Sequence, residues 1–162
     1  MNVSRRFFLS TVLGIIVMIT FAATGCLPQA GEFFPRNALV IQTRSGPEHF
    51  NVELAETPLQ RMQGLQDRRT LHSRSGMLFV FETLSPVAMW MKNTYVSLDM
   101  LFLDAAGDIV AIVESTRPLS LQPIRPPGPV KAVLELKAGT AEQLGIAIGD
   151  RVIHPAFKVA VQ

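Results

Sequence analysis

The fold is decided between Gly76 and Ile112, a stretch that reads GMLFVFETLSPVAMWMKNTYVSLDMLFLDAAGDIVAI. It holds the only Trp and four of the seven Met residues of the chain. Three polar groups, Lys92, Asn93 and Asp99, stand among these apolar side chains. An ionisable group in such surroundings is costly unless it is paired or used. The stretch is therefore the first place to look for a functional site.

Apolar runs separated by turn signals predict a series of strands. The predicted strands are Ala38–Gln42, His49–Ala55, Met77–Phe81, Val87–Lys92, Leu98–Leu103, Ile109–Val113, Lys131–Lys137, Arg151–His154 and Phe157–Val161. Several of these runs are apolar on both faces, which indicates a sheet that is curled or covered on both sides. We expect a mostly β (α+β) fold with a single curled, barrel-like sheet, antiparallel or mixed, and one or two short helices.

Two short helices have recognisable starts. Thr57 and Gln60 have capping-box spacing around Pro58, which suits the first helical position. A second helix of one or two turns is expected to be capped by Thr140 and ended by Gly145.

Three connections are predicted as turns or loops. Thr83–Pro86 should turn the chain, and the polar, Arg-rich Asp67–Ser75 suggests a solvated loop. Glu114–Val130 contains five Pro, which favours an extended surface loop over a central strand.

The N-terminus has the layout of a bacterial export signal. Arg5 and Arg6 precede an apolar run that ends at a small-residue junction before Cys26. Ser4–Ser10 also resembles a twin-arginine motif, and Ala23–Cys26 resembles a lipobox. We expect residues 1–25 to be a signal peptide, with lipidation of Cys26 after cleavage. An uncleaved anchor is the alternative, but its apolar run is shorter than the ~20 residues that span a bilayer.

This organisation predicts a membrane-tethered protein on the periplasmic side of the cell envelope, or a protein that is secreted after signal cleavage. Residues 26–37 are expected to form a tether, and residues 38–162 a single β-rich domain. Beyond residue 25 the chain carries thirteen Lys and Arg and thirteen Asp and Glu. This part of the chain therefore has no net positive charge that could bind a phosphate backbone, and a nucleic-acid partner is not expected. The single Cys leaves no intrachain disulfide to expect.

Polar residues of the central stretch are the candidate site. Strand alternation predicts that Trp90 and Lys92 share one face with Thr94, while Met89, Met91 and Asn93 share the other. Asp99 should pair with Lys92 or Asn93 across the intervening turn. Glu135 is also an ionisable residue among apolar residues, on a later strand, so it too should have a partner or a function. These side chains could form a ligand-binding site, or a buried polar network that sets strand register.

Three other kinds of chemistry have weaker signals. Asp99 and Glu135 could be the acid and base of a hydrolase, because glycoside cleavage needs two carboxyl groups. Met89 and Met91, with Met62, Met77 and Met100, could hold Cu(I) outside the cytoplasm, although Met is also an ordinary core filler. The three His residues lack zinc spacing, and neither GxSxG nor a Gly-rich phosphate loop is present. The sequence predicts no cofactor.

Ordered blocks along the chain resemble the domain-of-unknown-function 192 family. The matching blocks are Glu53–Pro58, Arg61, Gly64–Leu65, Gly76–Phe81, Trp90–Thr94, Leu98–Phe102, Pro118–Leu119, Val133–Leu136, Ala138–Gly139, Leu144–Ile146 and Gly149–Asp150. Gln66–Arg68 departs from the family pattern and makes the end of the first helix wetter than usual.

The resemblance implies a compact, mostly β domain with a barrel-like curled sheet, often exported in bacteria. It implies no activity and no catalytic residues. The expected ligand-binding residues are the matched polar positions and the aromatic beside them: Arg61, Trp90, Lys92, Asn93, Asp99 and Glu135. The predicted role is binding of a small polar or carbohydrate-like ligand, or of an envelope partner.

Overall fold

The computed structural model of the chain describes residues 34–157, which form seven strands and two short helices. In chain order these elements are β1 (Arg36–Thr43), β2 (Gly46–Ala55), α1 (Pro58–Gln63), β3 (Ser75–Ser85), β4 (Leu98–Leu103), β5 (Ile109–Val113), β6 (Val130–Lys137), α2 (Thr140–Leu144) and β7 (Arg151–Ile153). The predicted mostly β fold with two short helices is confirmed. The first strand begins inside the segment that the sequence predicts as a tether.

All seven strands belong to one mixed sheet in the order β5-β4-β6-β3-β2-β1-β7. The β2–β3 pair is parallel, and the other pairs are antiparallel. The two ends of the sheet approach each other: the N–H of Ile109 donates to Asp150 O at 2.9 Å, and the N–H of Val152 donates to Gly107 O at 2.8 Å. The sheet is therefore curled into a half-barrel, as predicted.

Both faces of the sheet are buried, which explains the strands that are apolar on both sides. All six residues of β4 are buried. Leu101 and Leu103 belong to a core cluster with Leu134 and Leu136 of β6. The alternate residues of β4, Leu98, Met100 and Phe102, pack into a second cluster on the other face. Other members of this cluster include Met77, Phe79, Met91 and Val133.

Close packing between β3 and β6 requires a glycine at their junction. A Cβ atom added to Gly76 would overlap the backbone carbonyl of Glu135 and lie 2.8 Å from Leu136 Cδ2. Glycine permits this backbone approach because it has no side chain.

The predicted strand Val87–Lys92 and the predicted turn Thr83–Pro86 are wrong. β3 runs on to Ser85, which pairs with Val130, and the next segment makes only an isolated bridge between Met89 and Ile124. An antiparallel ladder would next pair residue 87 with Pro126, which has no N–H to donate. The proline-rich loop therefore accompanies this segment without forming a strand with it.

The segment Asp67–Ser75 after α1, predicted as a solvated loop, is partly buried. Arg68 donates to both carboxylate oxygens of Glu53, at 2.8 and 2.5 Å, and Leu71 is buried. Burial would raise the pKa of Glu53, but the hydrogen bonds and charge of Arg68 outweigh it and lower the pKa. The local sequence does not predict this pairing, because Glu53 lies on β2 and Arg68 lies in the segment after α1.

Several sequence predictions lie outside residues 34–157: the signal peptide with Arg5 and Arg6, the lipidation site Cys26, and most of the strand Phe157–Val161. Phe157 itself lies in a bend. Within the described range, neither helix has the length and apolarity needed to cross a bilayer.

Candidate functional site

A small open cavity lies on the outer face of the sheet, between α1 and the segment that precedes β4. Its volume is about 80 Å³, and a groove of about 390 Å³ adjoins it. Arg61, Phe79, Ala88 and Met89 line both spaces. The cavity is lined by Arg61–Gln66, Phe79, Ala88–Trp90, Lys92, Thr94 and Glu135. We call it the Glu135 cavity.

The wall formed by α1 is held by local hydrogen bonds. Thr57 Oγ1 accepts from the N–H of Gln60, and the Gln60 side chain accepts from the N–H of Thr57 at 2.9 Å, so the predicted capping box is present. Gly64 ends the helix at φ 49°, and a Cβ there would lie 3.1 Å from the Phe79 ring. This end of the helix therefore packs directly against the cavity wall.

Arg61 projects from α1 into the region where the cavity and the groove meet. Its Nη1 atom donates to the carbonyls of Glu56 and Val80, the latter at 2.8 Å, and its guanidinium lies 5.3 Å from the centre of the Phe81 ring. The guanidinium is thus fixed in place. Within residues 34–157 only Nη1 of its guanidinium donates a hydrogen bond, so the other nitrogens, which carry three of the five N–H donors, can serve a ligand.

The opposite wall is the segment Met89–Thr94. Met89 exchanges two backbone hydrogen bonds with Ile124, at 2.9 and 2.8 Å, and the N–H of Met91 donates to Ser120 O at 3.0 Å. The proline-rich loop therefore holds this wall from behind. Trp90 is 51% exposed at the mouth of the cavity, so one large aromatic surface is available to a ligand.

Glu135 lies at the floor of the cavity. Its register partners are Met77 of β3 and Met100 of β4, both fully buried. The residue is 4% exposed, and no other side chain in residues 34–157 donates to or accepts from its carboxyl group. Burial alone raises the pKa of Glu135 to about 8, so the group is a neutral carboxylic acid at pH 7.

Asp99 has a different environment and lies outside the cavity. It is fully buried, and its two oxygens accept hydrogen bonds from the backbone N–H groups of Ser115 and Ala141, each at 2.9 Å. The predicted pairing of Asp99 with Lys92 or Asn93 is therefore wrong. The predicted Thr140 cap is also wrong: Gly139 occupies the N-cap of α2, and Asp99 serves its second residue, Ala141.

The register of β4 and β6 separates the two candidate acid–base residues. Met100 is opposite Glu135 and Asp99 is opposite Leu136, so alternation places the two carboxyl groups on opposite faces of the sheet. Two carboxyl groups on opposite faces cannot flank one bond. The arrangement needed for a hydrolase with this pair is absent.

The structure brings together four of the six predicted ligand-binding residues: Arg61, Trp90, Lys92 and Glu135. Asn93 has φ 54°, points to solvent and donates to Gln66 Oε1 at 3.2 Å. Trp90, Lys92 and Thr94 all face the cavity as alternation predicts, although Met89 does so too.

Several other cavity residues were not predicted as ligand-binding residues, among them Gln66 and Phe79. Phe79 reads as an ordinary core position of a strand. It reaches the cavity only because α1 packs across β3, which is a tertiary contact.

No cluster of three or more His, Cys, Asp or Glu residues within residues 34–157 has the arrangement to hold a metal ion. Among the methionines of the copper hypothesis, Met77, Met91 and Met100 are fully buried in one core cluster and Met89 packs against it, while Met62 is exposed on α1.

Comparison with known proteins identifies relatives. The family model DUF192, described as "Uncharacterized ACR", matches residues 40–154. A Sinorhizobium meliloti crystal structure, described as that of a candidate transcription regulator, is similar with 44% identity and a TM-score of 0.74. The match covers 76% of this chain and 96% of that one.

A second crystal structure, a protein of unknown function from Novosphingobium aromaticivorans, is 31% identical with a TM-score of 0.74. The match covers 79% of this chain and 90% of that one. No curated protein matches the chain.

Proposed function

The chain belongs to the DUF192 family, and from this premise we propose that it is a binding module whose Glu135 cavity holds a small polar or carbohydrate-like ligand. The observation that carries the proposal is the Glu135 carboxyl group, which lies at the floor of an open cavity and has no hydrogen-bonding partner in the described residues. A carboxyl group that faces an open cavity without a protein partner is free to bind a ligand there.

The composition of the walls supports a small ligand with one apolar face. Phe79, Met89 and Trp90 provide apolar surface, while Lys92 and Thr94 provide polar groups near the mouth. Binding sites for small molecules commonly combine a mostly apolar lining with a few polar groups that fix orientation. The exposed Trp90 indole offers a flat surface for a sugar-like ring.

We further propose that the module works in the cell envelope. The support is in the sequence: the twin-arginine pair Arg5 and Arg6, the apolar run after it, and Cys26 at the lipobox-like junction. On this proposal the domain remains close to a membrane through its N-terminal lipid, and the ligand or partner comes from the envelope.

The other candidate roles have less support. An envelope protein could dock at the same cavity through the exposed side chains of Met62 and Trp90. Hydrolysis by Asp99 and Glu135 lacks the geometry for a shared bond, and the family description leaves enzymatic activity open. For copper, Met77 and Met100, the register partners of Glu135, are fully buried core residues, whereas Met62 and Met89 line the Glu135 cavity.

The only Trp of the chain stands at the mouth of the cavity, so its fluorescence is a direct probe of occupancy. The purified full-length chain is titrated with sugars, peptidoglycan fragments, amino acids, nucleotides, and copper and zinc salts, with a thermal-shift measurement in parallel. A ligand at a hundred times its dissociation constant should add about 2.7 kcal/mol to the free energy of unfolding.

The matched variants are Lys92→Gln at the cavity and Arg44→Gln at the exposed β1–β2 turn. Each removes one positive charge. A ligand that shifts Trp90 fluorescence and is weakened only by Lys92→Gln supports the proposal. A panel without any response, or equal effects of the two variants, contradicts it.

A further inference from the structure

We propose that the ligand of the Glu135 cavity is a small organic anion. Its charged group lies between the Lys92 ammonium and the Arg61 guanidinium and accepts a hydrogen bond from the Glu135 carboxyl group. This inference rests on the proposed function and names the chemical class of its ligand.

The charges that line the cavity are the first argument. Among the described residues that line it, Arg61 and Lys92 are basic and Glu135 is acidic. Neither base forms an ion pair with Glu135, and burial is the cause of the raised pKa of Glu135. With Glu135 neutral, the cavity walls carry two positive charges and no negative one. An anion is the ligand that such a field attracts.

The proton on Glu135 is the second argument. A protonated carboxyl group is a hydrogen-bond donor, whereas an ionised one only accepts. A neutral acid at the cavity floor therefore offers its O–H to an anionic oxygen. Once ionised, the same group would repel that oxygen in a poorly solvated space.

In the described part of the chain, none of the groups that face Glu135 forms a hydrogen bond or an ion pair with its carboxyl group. β3 and β4 present Met77 and Met100 beside it, α1 presents Arg61, and the segment before β4 presents Lys92 and Thr94. Thr94 Oγ1 is engaged with Lys92 O at 3.3 Å, and Lys137, two residues further along β6, lines a different pocket with Arg69. Binding should therefore follow the titration of Glu135.

The adjoining groove suits the uncharged part of such a ligand. Phe79, Phe81, Val87 and Met89 line it, and its volume of about 390 Å³ exceeds that of the cavity. A ring could lie there or against Trp90 while its charged group enters the smaller cavity.

The test compares sugars that share a ring and differ in charge: glucuronate, glucose 6-phosphate, glucose and glucosamine. Each is titrated against the full-length chain by Trp90 fluorescence at pH 6.5 and pH 9.5, with circular dichroism confirming the fold at both. We expect one or both anions to bind at least tenfold more tightly than glucose or glucosamine at pH 6.5. Which anion binds more tightly distinguishes a carboxylate from a phosphate ligand.

The pH arm follows from the Glu135 titration. If only the protonated group accepts the anion, a pKa of about 8 predicts about a 30-fold loss of affinity at pH 9.5.

Three variants separate the contributions of Glu135 and Lys92 to anion binding from that of an unrelated surface charge. Glu135→Gln keeps a neutral donor of the same size, so it should bind the anion at pH 6.5 and lose the 30-fold dependence on pH. Lys92→Gln should weaken anion binding about tenfold, and Arg44→Gln should leave it unchanged.

Loss of anion binding at pH 6.5 in Glu135→Gln, or tighter binding of glucosamine than of the anions, would overturn the inference. Equal binding of glucose and the anions would also overturn it, while the proposed binding function would stand. A chain that responds to none of the four sugars contradicts the inference. If the wider panel also gives no response, the proposed function fails with it.

Discussion

The Oδ2 atom of Asp99 accepts a hydrogen bond of 2.9 Å from the backbone N–H of Ala141, 42 residues further along the chain. The Oδ1 atom accepts from the N–H of Ser115 at the same distance. One buried carboxylate of β4 thus serves the start of α2 and fixes the chain after β5. A local capping side chain is not used at α2, because Gly139 precedes the helix in a left-handed conformation with φ 82°.

Replacing Asp99 with Ala should destabilise the fold without acting on the cavity. A buried N–H group at Ala141 and a partly buried one at Ser115 would lose their acceptor, which costs about 3 kcal/mol. Urea denaturation measures the loss, and Glu142→Ala, an exposed acid in α2, should change stability by less than about 0.5 kcal/mol. A folded Asp99→Ala chain with normal stability but no ligand response would contradict this structural role.

Glu135 should make stability fall as pH rises. Below pH 4.5, its ordinary pKa, both states hold the proton; between 4.5 and the folded pKa of about 8, the unfolded chain releases a proton that the folded chain keeps. The free energy of unfolding contributed by this group therefore drops by about 1.4 kcal/mol per pH unit in that window.

The Glu135→Gln variant isolates this slope. It should match the wild type near pH 4 and exceed its stability at pH 9, as measured by urea denaturation across the range. Equal pH profiles for the two chains would show that Glu135 is ionised in the folded state.

Gly76→Ala should weaken the junction of β3 and β6. The added methyl group would overlap the Glu135 carbonyl and press on Leu136, so the two central strands must separate, at a cost of about 3 kcal/mol. Gly128→Ala is the control, since a Cβ there meets nothing within 4 Å. Thermal denaturation of the two variants should differ by several degrees, and equal melting temperatures would argue against this close approach.

Thr57→Ala should loosen the α1 wall of the cavity. It removes the acceptor for the Gln60 N–H, which typically costs about 1 kcal/mol. Hydrogen exchange of the α1 amides should quicken, while Thr57→Ser, which keeps the hydroxyl group, should behave as the wild type. If the alanine and serine variants exchange alike, the capping box does not stabilise the helix.

Short-range signals predicted the elements whose stabilising contacts are local. Thr57, Pro58 and Gln60 mark the start of α1 because the capping box closes within four residues. The apolar run Leu98–Leu103 was recognised as a strand covered on both sides, and its ends agree with the structure. Sequence predictions are wrong where contacts with a distant part of the chain determine the structure. The segment 87–92 is an example, because it lies beside the prolines of a later loop.

The sequence by itself determined the mostly β class, the main strands and the polar residues that deserve examination, because periodicity and capping act over a few neighbouring positions. Only the tertiary structure decided what those polar residues do. A strand register places Asp99 on one face, where two backbone N–H groups use it, and Glu135 on the other, where it faces an open cavity. A shift of one residue would exchange those faces, and register is set by packing across the whole sheet.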